Sequence, residues 1–122
     1  MRDQLLTTLY RPVGTLELRL IEKSGWREFP PRRQDEPTFI VQLNEAYAVQ
    51  IARDWNTKYN ADGRGYVVRF RVRSQFLAKY ITRTVGGREH KELWIPAAEL
   101  YLLNRNIVGL VEVIAEFRAP DK

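Results

Sequence analysis

The chain has 122 residues, 44% hydrophobic and 29% charged, with a formal net charge of +5, one histidine and no cysteine. That length and composition suit one globular domain around one core, and the cysteine count excludes disulfides, zinc–thiolate centres and cysteine nucleophiles, while the lone His90 excludes a multi-histidine metal site. No metal is expected; no apolar run approaches the roughly 20 residues that span a bilayer, and the mixed stretch MRDQLLTTLYRPVG has no signal-peptide core, so the expectation is a cytoplasmic protein without a membrane partner.

Residues 5–10 are leucine- and threonine-rich with a terminal tyrosine, which favours a strand, and Pro12 is expected to end it. Leu16, Leu18, Leu20 and Ile21 recur at helical spacing over residues 15–24, and Gly25 fits the position that closes such a helix. Residues 26–37 hold three prolines and Arg27, Arg32 and Arg33, and read as a loop. A short strand follows from Thr38 to Val41. Asn44 is a good N-cap for a helix in which Tyr47, Ile51 and Trp55 form an apolar stripe, with Ala48 and Ala52 beside it. Residues 60–65 carry turn chemistry.

The second half reads mostly as β. Residues 66–73 alternate strictly, with Val68, Phe70 and Val72 on one face and Arg69, Arg71 and Arg73 on the other. Ser74 is placed to cap one helical turn. Strands over 80–85 and 89–95 are joined at Gly86-Gly87. Pro96 suits the first position of a helix reaching Asn104, and residues 107–117 form a last strand. The order β-α-β-α-β-β-β-α-β, with late strands segregated and mostly antiparallel, predicts a small α+β domain with two or three helices.

On a strand, His90, Glu92 and Trp94 share one face. A carboxylate beside an aromatic there can steady a developing sugar cation or orient a ribose hydroxyl; a solvated surface glutamate has the same spacing. Arg11 after Tyr10, at the end of the first strand, can clamp a phosphate or sit in a surface salt bridge. The Arg69, Arg71, Arg73 stripe, like Arg27, Arg32 and Arg33, can meet a nucleic-acid backbone or another anion, or form the wet face of a sheet. There is no phosphate-binding GxxxxGK[ST] loop, no GxGxxG and no GxSxG.

The residues Leu9-Tyr10-Arg11-Pro12-Val13-Gly14, Phe29-Pro30-Pro31-Arg32, Leu43-Asn44-Glu45, Ala52-Arg53-Asp54-Trp55-Asn56, Trp94-Ile95-Pro96-Ala97 and Asn104-Arg105-Asn106-Ile107-Val108-Gly109 carry a resemblance over nearly the whole chain. It is to a group of short bacterial proteins named by inference for ADP-ribosylation. The segment order also resembles a minimal ADP-ribosyltransferase fold. The resemblance implies NAD as substrate, Arg11 with Tyr10 as the dinucleotide clamp and Glu92 as the catalytic acid. It also implies that His90 orients an unknown protein or nucleic-acid acceptor. Thr38 is the one polar residue where that superfamily has a polar middle strand, and Tyr47 is positioned to stack on nicotinamide if it leaves the apolar stripe. Two other functions fit the same residues. One is a non-catalytic basic module whose arginines hold nucleic acid or an acidic protein. The other is a subunit of a small complex.

Overall fold

Strict alternation in residues 66–73 places a central strand, and the rest of the chain builds outward from it. The computed structural model describes residues 5–120. Its strands are β1 (Leu6–Val13), β2 (Thr38–Gln42), β3 (Arg64–Arg73), β4 (Thr82–Thr84), β5 (Lys91–Pro96) and β6 (Glu112–Arg118). They form one antiparallel sheet in the order β4-β5-β2-β1-β3-β6. The helices are α1 (Thr15–Lys23), α2 (Glu45–Gln50), α3 (Thr57–Tyr59), α4 (Ser74–Leu77) and α5 (Leu100–Arg105). A π-helical stretch, Ile51–Asn56, joins α2 to α3, and a 3-10 turn, Ala97–Glu99, leads into α5. The fold is α+β, as the element order predicts.

One face of the sheet carries the main core. Leu9, Val13, Phe39, Val41, Val68, Phe70, Val72, Leu93 and Ile95 bury together with Ile21 of α1 and with Leu100 and Leu103 of α5. Phe29 comes from the proline-rich loop and completes it, its ring 5.0 Å from Phe39 and 4.8 Å from Phe70. The Asn104 side chain holds that loop in place by bonding both backbone groups of Phe29, at 2.9 and 3.0 Å. The loop therefore supplies a core residue, and each such buried phenylalanine contributes roughly 1.5–3 kcal/mol.

The other face is half covered. Ala48 and Ala52 bury against Val67 of β3, with Tyr10, Ile114, Ala115 and Phe117 around them. The stripe expected from Tyr47, Ile51 and Trp55 is not the buried one, and Trp55 is 60% exposed. The buried line lies one residue on: Ala48 and Ala52 face the sheet, and Ala52 and Asn56 both approach Gly65, so the larger Tyr47, Ile51 and Trp55 sit to the side. The two alanines allow a close approach. A Cβ on Gly65 would lie 2.6 Å from the Ala52 carbonyl oxygen and 2.7 Å from Asn56 Cβ.

Three boundaries differ from the sequence reading. β1 runs through Pro12 to Val13, because Pro12 pairs with Val67 in the β3 register and tolerates its missing N–H on the other side. On that side β1 meets β2 at one register pair, Tyr10↔Gln42. The strand expected over 80–85 shrinks to three exposed residues. Residues 107–117 are not one strand: Ile107 makes an isolated bridge to Val72, and Gly109 turns the chain at φ 83° before β6. Two predicted caps hold, with Gly25 at φ 80° after α1 and the Asn44 side chain accepting from Tyr47 N; Ser74 does not cap but is the first residue of α4, its hydroxyl bonded to that of Thr7 at 2.6 Å.

Candidate functional site

Register alone assembles a row of polar residues across the sheet. Arg83 pairs with Glu92, Glu92 with Gln42, Gln42 with Tyr10, Tyr10 with Arg69, and Arg69 with Glu112. Cross-strand partners share a face, so all six side chains lie on the face opposite the main core. Helix α2 starts over the middle of this row and brings Tyr47 to it.

Glu92 is 6% exposed, and three neutral donors hold its carboxylate. Tyr47 Oη donates to Oε2 at 2.9 Å, Gln42 Nε2 to Oε2 at 3.2 Å, and Trp94 Nε1 to Oε1 at 2.8 Å. No cation pairs with Glu92 among the described residues. A carboxylate has about four acceptor positions, so Oε1 retains capacity for a further donor. Gln42, 3% exposed, leaves its own Oε1 buried without a partner. Glu92 Oε1 and the buried Gln42 Oε1 thus both have bonding capacity unused.

The groups around this carboxylate are ordered by it. Asn44 caps α2 and also donates to Glu89 Oε2 at 3.2 Å, which ties the start of α2 to the hairpin between β4 and β5. Tyr47 stacks on His90 with centroids 4.2 Å apart and planes 9° apart. Burial, then the bond to Glu92, pushes the Tyr47 hydroxyl up from 10.0 to about 12. The Arg83 guanidinium lies 4.4 Å over the Trp94 ring. Arg83, Trp94, Glu92, Tyr47 and His90 form one continuous chain of contacts.

Arg11 is not part of it. One residue on from Tyr10, it points through the other face, into the main core. Its guanidinium makes two bonds to Glu17, at 2.7 and 3.0 Å, and one to the Ile40 carbonyl at 2.6 Å, and it lies 4.2 Å over the Phe39 ring. Arg11 and Glu92 therefore lie on opposite faces of the sheet and do not share a cleft, which corrects the clamp role implied for Arg11. Arg11 closes the seam where Pro12 has no N–H to offer β2. Tyr10 does share the Glu92 face, but packs under α2. Thr38 is also on that face, four residues along β2 from Gln42, a separation of about 13 Å.

Most of the predicted anion-binding arginines have partners. Arg32 pairs with Glu36 at 2.8 Å and Glu17 at 3.7 Å, and burial, then the nearby Arg11, lowers its pKa. Arg33 pairs with Asp35 and Glu36. Arg69 and Arg71 share Glu112. Arg73 donates to the Arg105 carbonyl at 3.1 Å. Only Arg27 of this set is exposed without an ion pair among the described residues.

Sequence reading missed Gln42 and Arg83. Nothing local marks them, because their place beside Glu92 comes from pairing between strands far apart in the chain. Trp94 was visible from its two-residue offset to Glu92. Neither a known protein family, nor a curated protein, nor a solved structure matches this chain. Among the described residues, no helix is long and apolar enough to cross a membrane.

Proposed function

We propose that this domain binds NAD on the open face of its sheet and transfers or hydrolyses the ADP-ribosyl group, with Glu92 as the working carboxylate. The observation that carries this reading is the set of partners around Glu92: three neutral donors and no cation. An ion pair would cancel the negative potential of the group. Neutral hydrogen bonds hold it in place and leave its charge available to a cation that forms only in the transition state. As the bond from ribose C1′ to nicotinamide breaks, that cation is the ribose ring. The acceptor capacity left on Glu92 Oε1 suits a hydroxyl of the same ribose.

His90 and Tyr47 offer a stacked, fixed π-surface beside the carboxylate for the nicotinamide ring or the incoming acceptor. The acceptor is water, a protein group or a nucleic-acid group. In this proposal Arg11 has a different task from the one the resemblance implies: it holds the β1–β2 seam and does not touch the dinucleotide. The test is calorimetric titration with NAD, followed by release of nicotinamide from the same sample. Saturable binding with slow release is expected. An absence of heat at millimolar NAD removes the proposal.

A further inference from the structure

Among the described residues, one cluster of cations without ion pairs lies away from the arginine stripe of β3. Residues 82–91 hold three cations, Arg83, Arg88 and Lys91, against one carboxylate, Glu89. All three cations are exposed, and none is ion-paired among the described residues. Glu89 is engaged with Asn44 at 3.2 Å. This hairpin is the edge of the sheet, and its outer strand β4 is exposed at all three residues.

Charges on a sheet edge guard against pairing with other chains, which accounts for cations but not for the rings beside them. Trp94 is 39% exposed, yet its indole N–H is fixed to a buried carboxylate at 2.8 Å. Tyr47 hangs from the other oxygen of that carboxylate and stacks on His90. Glu92 thus holds two aromatic systems in fixed orientation beside the cationic hairpin, and Arg83 adds a planar guanidinium over one of them.

We infer that the β4–β5 edge is a docking site for single-stranded nucleic acid, with bases on the Trp94–Arg83 and Tyr47–His90 surfaces and phosphates on Arg88 and Lys91. Rings and guanidinium planes stack unpaired bases whatever their identity, and the backbone follows the positive charge. A duplex keeps its bases inside and cannot use the rings. An acidic peptide uses only the charge. The inference goes beyond the NAD reading and stands without it, since no step requires the dinucleotide.

The experiment is fluorescence anisotropy of a labelled thymidine 12-mer against the full chain over a range of salt, without NAD. Removing Arg88 and Lys91 together (R88A/K91A) touches none of the bonds to Glu92. It is expected to weaken binding at least fivefold and to reduce the log–log salt slope by about 1.4, the value for two phosphates on a single strand. R19A/K23A, on the exposed side of α1 and of equal charge, is expected to leave both unchanged. An abasic 12-mer keeps the phosphates and loses the bases, and is expected to bind at least tenfold more weakly, since one of the two lost stacks alone implies about that much. Equal loss in the two double variants would assign the binding to net charge and overturn the site. So would an abasic strand or a duplex that binds as well as the thymidine strand, or displacement by polyglutamate as effective as by unlabelled 12-mer.

Discussion

Glu92 and Glu17 are both shielded carboxylates on opposite sides of one sheet, and their partners set them apart. Glu17 faces Arg11 and Arg32; Glu92 faces a phenol, an amide and an indole. The second arrangement ties Tyr47 to its neutral form. The folded-state pKa of Tyr47 lies above its unfolded value, so this contribution to stability is complete below pH 10 and is lost as pH rises to about 12. Comparing wild type with Tyr47→Phe by chemical denaturation checks this. The stability margin of wild type should hold constant up to pH 10 and then shrink toward pH 12. A margin that does not move across that interval contradicts the Tyr47–Glu92 bond. Asn44→Ala removes the cap that positions Tyr47 and should cost about 1 kcal/mol by thermal melting.

At the scale of elements, two seams decide the geometry. The first is where the π-helical stretch meets β3. Gly65→Ala drives a methyl group into the Ala52 carbonyl and should cost about 1–3 kcal/mol, measured as a fall in denaturation midpoint; an unchanged midpoint would mean the helix is not seated on Gly65. The second seam is β1 against β2, bridged by Arg11. Arg11→Met strands Glu17 beside Arg32 alone and removes the bond to Ile40. A loss of about 3 kcal/mol is expected, with NAD affinity per folded molecule unchanged. A selective loss of NAD affinity at full stability would restore the dinucleotide clamp to Arg11.

Over the whole molecule, the sequence was legible where the signal is local. The alternation of residues 66–73, the cap at Asn44, the close of α1 at Gly25 and the turn at Gly86-Gly87 are all set by backbone and side-chain preferences within a few residues. The buried helical line was misplaced by one residue, because the seat at Gly65 admits the small Ala48 and Ala52 side and not the larger Tyr47, Ile51 and Trp55 side, and that seat lies on another element. Sequence period placed Glu92, His90 and Trp94 on one face, but strand register decided that Gln42 and Arg83 join them and that Arg11 does not. Register depends on which strands pair, and Gln42 and Glu92 are 50 residues apart. The open basic edge had the same origin: pairing consumed most of the arginines that looked free, and left the hairpin cations exposed.

The central claim is that an uncompensated carboxylate does the chemistry, and a paired substitution tests it most directly. Nicotinamide release from NAD would be compared in Glu92→Gln and Glu17→Gln, with folding of each verified by circular dichroism. Glu92→Gln should lower release by about 10²–10³-fold, the usual range for lost transition-state electrostatics, while NAD still binds. Glu17→Gln should lower the melting temperature and leave release per folded molecule intact. Release that survives in folded Glu92→Gln, or falls equally in both variants, would contradict the account.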